Sequence, residues 1–115
     1  LCSGKVYYDL LEARRKSDNK AVAIIRIEQL YPFPEEELRE ILRPYEHVQD
    51  FVWCQEEPKN QGAWYNCQHR MRRVIPSSVY LNYVGRPASA APAVGYMSLH
   101  LQQQKTLVEE ALTIK

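Results

Sequence analysis

Phe51-Val52-Trp53-Cys54-Gln55-Glu56-Glu57-Pro58-Lys59-Asn60-Gln61-Gly62-Ala63-Trp64 is the stretch that decides the fold. Its apolar start predicts a strand over residues 51–55. The polar, proline- and glycine-containing middle predicts a loop. Trp64, Cys67 and Met71 then recur at helical spacing, with Arg70 and Arg73 off that stripe. Strand, loop and helix in this order make a crossover at the carboxyl edge of a sheet, where ligands and partner surfaces gather in open α/β folds. Glu56 and Glu57 stand at that edge. Two carboxylates beside a buried strand are costly unless something pairs with them. Neighbours on an extended segment point to opposite sides, so the two cannot converge on one substrate as a catalytic pair.

Working outward, Ser3-Gly4 predicts a turn and a helix cap, and Val6, Tyr7, Leu10 and Leu11 the apolar face of a helix to about Lys16. Residues 21–27, Ala-Val-Ala-Ile-Ile-Arg-Ile, form a near-continuous apolar run, which predicts a strand buried on both faces. Pro32-Phe33-Pro34 ends it. Glu35, Glu36 and Glu37 open a helix whose buried stripe is Leu38, Ile41, Leu42 and Tyr45. Pro76-Ser77-Ser78 is a turn, and residues 79–84 a further strand. Residues 85–95 are rich in small side chains and predict an irregular contact loop, exposed or mobile in isolation out to residue 97. Ser98 is placed to cap a last helix with Leu101, Val108, Ala111 and Leu112 inward. Strands and helices alternate, so the class is α/β with a mostly parallel sheet.

The 115 residues suit one domain, 1–115, with an ordinary 45% hydrophobic and 25% charged composition. A net charge of +1 gives no electrostatic argument for a nucleic acid or an anionic membrane as partner. No apolar run approaches the ~20 residues that span a bilayer. Cys2, Cys54 and Cys67 are widely spaced and form no CxxC or metal-ligand cluster with His47, His69 or His100. They are expected to be buried, reduced thiols.

Two groups are candidates for binding. Ser3, Gly4 and Lys5 at a helix start, with Arg86, could hold a small anion. Capping is the simpler reading, since neither P-loop nor dinucleotide spacing is present. Glu56, Glu57, Arg86 and Ser89 are candidates for contact with another domain. Nothing in the pattern assigns a catalytic residue or a metal site. Eight tyrosines and two tryptophans exceed the needs of a core this size, so some are expected at an interface.

Four segments together resemble one family. They are Cys2-Ser3-Gly4-Lys5-Val6-Tyr7-Tyr8-Asp9-Leu10, Arg26-Ile27-Glu28-Gln29-Leu30-Tyr31-Pro32-Phe33-Pro34, the stretch from Trp53 to Trp64, and residues 85–97. The chain is similar to the C-terminal domain of the decarboxylating component of 2-oxoglutarate dehydrogenase complexes, in a bacterial variant. The resemblance implies a transketolase C-terminal-like, three-layer α/β/α sandwich around a mostly parallel five-stranded sheet. Its first strand precedes Leu1 and is largely truncated here. It further implies a C-terminal fragment of a larger multidomain enzyme of the tricarboxylic acid cycle, dependent on thiamine diphosphate and Mg²⁺. Neither cofactor would be bound by this segment, which would be inert alone. Partners implied are the remaining domains, the second subunit of a homodimer and the dihydrolipoyl succinyltransferase core. The implied location is cytoplasmic, or the mitochondrial matrix in a eukaryote. Some relatives bind a regulatory nucleotide or acetyl-CoA near this domain, without residues that map onto this chain. Two alternatives stay open: a small-anion or nucleotide-binding module using the carboxyl edge, or the same domain of a related thiamine enzyme, such as a 2-oxoadipate dehydrogenase or a bifunctional decarboxylase.

Overall fold

The computed structural model describes residues 1–86 and 97–113. Its regular elements are α1 (Val6–Ser17), α2 (Glu35–Leu42) with a 3-10 turn at Arg43–Tyr45, β1 (Phe51–Pro58), α3 (Trp64–Val74), β2 (Leu81–Arg86) and α4 (Met97–Leu112). β1 and β2 are parallel, with Phe51 opposite Leu81 and Cys54 opposite Val84. Two single-residue bridges extend the sheet sideways. Cys2 pairs in parallel with both Arg26 and Cys54, so a two-residue stub, Leu1-Cys2, lies between the chain at Ile25–Ile27 and β1. Cys2 N–H donates to Ile25 O at 3.0 Å and Ile27 N–H to Cys2 O at 2.8 Å. On the other side Cys54 N–H donates to Leu1 O at 2.8 Å.

Alternation along β1 separates two cores. Trp53 joins Ile27, Leu38, Leu42, Trp64, Cys67 and Met71, a cluster roofed by α2 and α3. Cys54 joins Cys2, Val6, Leu10, Val84, Leu107 and Val108, roofed by α1 and α4. The mixed α/β class expected from the alternation is therefore what the chain adopts, with helices on both faces. Among the described residues the sheet has four chain lines rather than the five the resemblance implies.

Several local expectations are corrected. Residues 21–27 do not form a strand: only Arg26 bridges, and Ala21 and Ala23 are exposed. A strand needs a partner ladder, and the stub beside it is only two residues long. β1 continues through Glu56 and Glu57 to Pro58, because a bulge keeps it beside β2: four residue steps from Cys54 to Pro58 face two from Val84 to Arg86. Gly85 and Arg86, expected in a loop, are the last residues of β2, and Lys59 N–H donates to Arg86 O at 3.1 Å. The N-cap position of α1 is Lys5, without a side-chain cap, so Ser3 does not cap it. Ser98 lies within α4. Ile41 is 50% and Leu101 59% exposed, while Leu107, absent from the expected stripe, is buried beside Val108. The expectation of an exposed or mobile contact loop falls mostly on residues 87–96, outside the described residues; so does Ser89.

Candidate functional site

The carboxyl ends of β1, β2 and the Leu1-Cys2 stub bring Glu56, Arg86 and Lys5 to one edge. Gly4 takes φ +80°, a left-handed conformation that glycine adopts without a side-chain penalty, and turns the stub into α1. That turn sets Lys5 above β1, with its ammonium 2.7 Å from a Glu56 carboxylate oxygen. The hydrogen bond to Glu56 is the main cause of a Lys5 pKa raised above the ordinary 10.5. Glu57, the next residue, is exposed.

Arg86 is 6% exposed, unusual for an arginine. Its guanidinium donates to Glu56 O, to Gln103 Oε1 at 3.2 Å and to Gln104 Oε1 at 2.9 Å. Gln104 in turn donates to Asp9 at 2.8 Å. One network therefore joins α1, β1, β2 and α4 at the sheet's carboxyl edge. Two of the sequence-selected groups converge: Lys5, from the anion set, meets Glu56, from the contact set. Ser3 is half-buried and Gly4 exposed beside them.

The residue that sequence reasoning missed is Gln55. It is 1% exposed, and its amide makes four hydrogen bonds, the full capacity of a primary amide for two acceptances and two donations. Oε1 accepts from Trp53 Nε1 at 2.9 Å and from the Trp64 backbone N–H at 3.2 Å. Nε2 donates to Glu57 O at 3.1 Å and Pro58 O at 2.9 Å. The crossover loop thus folds over Gln55, and the start of α3 is capped from β1. Two glycines allow it: a Cβ on Gly62 would lie 2.6 Å from Gln55 Oε1, and one on Gly85 2.6 Å from Gln55 O. A glutamine within an apolar strand, followed by a glycine near the next helix, was the available signal. Tyr83 completes the corner, donating to Arg86 O at 2.7 Å. Burial pushes its phenol up to about 12.

The three thiols are free and buried. Burial raises all three, Cys54 to about 12, so they stay protonated and unreactive at neutral pH. Arg70 and Arg73 reach Glu35 at 3.7 and 3.4 Å, fastening α3 to α2, while Arg72 lies over the Trp64 ring at 5.8 Å. His47 and His69 are exposed. Among the described residues no group of three His, Cys, Asp or Glu side chains could hold a metal ion. Lys5 and Arg86, the cationic candidates at the edge, are engaged within the chain. These residues do not fit a diphosphate with a divalent cation.

The family described as 2-oxoglutarate dehydrogenase C-terminal matches residues 1–112. The chain is 68% identical over 113 residues to a 2-oxoglutarate dehydrogenase E1 component of Haemophilus influenzae, with 98% of this chain and 12% of the relative covered. It is 58% identical over 117 residues to the E1 component of Azotobacter vinelandii, covering 99% of this chain and 12% of the relative. An oxoglutarate dehydrogenase of Buchnera aphidicola is 52% identical over 114 residues, at 99% and 12% coverage. The chain spans about one-eighth of the length of these relatives.

Proposed function

The chain belongs to the 2-oxoglutarate dehydrogenase C-terminal family, and from that premise we propose that it serves as the C-terminal structural domain of a thiamine-diphosphate-dependent 2-oxoglutarate dehydrogenase. In this reading the parent protein oxidatively decarboxylates 2-oxoglutarate within the tricarboxylic acid cycle, in the cytoplasm of a bacterium. It works with Mg²⁺ and passes a succinyl group to a dihydrolipoyl succinyltransferase core. This domain contributes to packing against the remaining domains and the second subunit of a homodimer. Bound cofactor supplies the carbanion chemistry elsewhere in that protein. The residues here hold shape.

The observation that carries the reading is the Lys5–Glu56–Arg86–Gln104–Asp9 network. The carboxyl edge, where an open α/β sheet would bind a ligand, is tied together by the chain's own groups. Exposed aromatics, Tyr8, Tyr31, Tyr65 and Tyr80, are consistent with surfaces that meet other domains.

The test is a chimera. This chain replaces the matching 113 residues of the Haemophilus influenzae relative, and 2-oxoglutarate-dependent activity is measured with thiamine diphosphate and Mg²⁺. Activity close to the parent's is expected, with the dimer retained on sizing. A soluble, dimeric but inactive chimera would count against a purely structural role, and a monomeric one against correct packing.

A further inference from the structure

Among the described residues one buried side-chain polar atom lacks a hydrogen-bond partner, the Nε of Arg26. Its guanidinium lies against α1, 5.5 Å from the centre of the Tyr7 ring and 5.3 Å from that of Tyr8. Those two rings meet edge to face at 5.3 Å, so the cation rests in an aromatic corner. Its polar contacts both fall on Nη1, which donates to the Tyr8 hydroxyl at 3.2 Å and pairs with Glu28 at 3.5 Å. The opposite edge of the planar group, where Nε sits beside Nη2, has no acceptor at Nε. That edge is the one that takes a carboxylate side-on, through two parallel N–H···O bonds. Buried donors in folded proteins almost always meet an acceptor, and an unmet one costs free energy.

We propose that Arg26 is the receptor for an aspartate or glutamate side chain of the parent protein outside residues 1–115. The incoming carboxylate bonds Nε and Nη2 together, and the stem of its side chain packs on Tyr8. The inference rests on the reading that this domain packs within a larger protein, and it names the group at which it does so. Access is available: the Arg26 side chain is 30% exposed, and Tyr8, at 58%, can shift as a group docks. Charge selects a single carboxylate. Lys5, the neighbouring cation on α1, is engaged by Glu56, and Glu28 already offsets part of the Arg26 charge. The site therefore has no surplus of positive charge to draw a multiply charged phosphate. Glu28 holds only the Nη1 end and is itself 77% exposed, so it leaves the fork open.

Composition points to a protein surface as the carrier of that carboxylate. An arginine fixed by aromatic neighbours, with an exposed tyrosine beside it, is the make-up of an interface hot spot. The guanidinium is pinned at Nη1 before anything docks, so little side-chain freedom is lost on contact. The chain spans 12% of the length of its curated relatives, so proteins of this kind have ample further surface to supply the acid.

The test uses the chimera described above, with this chain in place of the matching residues of the Haemophilus influenzae relative. Arg26→Lys puts a primary amine where the fork was. A water-soluble carbodiimide then joins that amine to a touching carboxylate as an amide, itself taking up the elements of water to become a urea. Peptide mapping by mass spectrometry is expected to find position 26 joined to an aspartate or glutamate outside residues 1–115. With the chimera active and dimeric, a link to Glu28 alone, or no link, would overturn this inference and leave the proposed function standing. A second comparison does not depend on that variant. In a Glu28→Gln background, which removes the acidic partner within the chain, Arg26→Glu is compared with Arg26→Gln by the thermal midpoint of the chimera. An acid facing position 26 makes the charge reversal the worse of the two, and a lower midpoint for Arg26→Glu is expected. Equal midpoints would overturn the proposal.

Discussion

At the scale of single residues, Gln55 decides how the crossover is built. A buried amide with four partners stabilises a unique loop path, and removing it leaves donors that water cannot reach. Gln55→Leu strands Trp53 Nε1 and the Trp64 N–H, each at about 1–3 kcal/mol. A loss of at least ~2 kcal/mol in urea unfolding is expected, with the indole fluorescence of the native state altered. Gly62→Ala drives a methyl into the same amide, and overpacking of this kind costs about 1–3 kcal/mol. Gly4→Ala meets no neighbour but must hold a left-handed φ, and about 1–2 kcal/mol is expected there. The thiols offer a reading without mutation. With Cys54 raised to about 12, native protein should resist alkylation by iodoacetamide at pH 8, as read by mass spectrometry. Prompt modification of Cys54 would show that the sheet opens there.

At the scale of elements, α1, β1, β2 and α4 meet through Lys5, Glu56, Arg86 and Gln104, and the contributions are unequal. Arg86 is buried and multiply bonded; Lys5 is 73% exposed at its side chain. Arg86→Ala is therefore expected to lose at least ~2 kcal/mol by orphaning the Glu56 carbonyl and two glutamine amides. Lys5→Ala should lose under ~1 kcal/mol, as surface pairs do. The Lys5 pKa is raised in the fold, so its pairing is fully present below the ordinary 10.5 and is lost as pH rises through the shifted value. Wild-type stability should fall in that alkaline window more than that of Lys5→Ala. Much of this architecture was legible: the stripe Trp64, Cys67 and Met71, the helix after Pro34 and the parallel class all followed from periodicity. The misses share a cause. Residues 21–25 have strand composition, but their neighbour in the sheet is a two-residue stub, and composition does not report a partner. The small, irregular composition of residues 85–95 predicts a loop at Arg86; the Lys59 N–H and the Tyr83 hydroxyl both bind its carbonyl at the end of β2 instead. Glu56 and Glu57 drew attention as charges, whereas the glutamine beside them organises the turn.

At the scale of the whole molecule, the two edges of the sheet differ in kind. The carboxyl edge, where α/β proteins usually bind ligands, is closed by an internal polar network. The amino edge holds a groove of about 300 Å³ between residues 21–25 and residues 48–52. Under the proposed function this chain holds structure and performs no reaction alone. The most direct measurement is the release of CO₂ from carboxyl-labelled 2-oxoglutarate by the isolated chain, supplied with thiamine diphosphate, Mg²⁺ and an artificial electron acceptor. Release indistinguishable from that of the buffer is expected. Turnover that rises with protein concentration and disappears on Lys5→Ala or Arg86→Ala would contradict it.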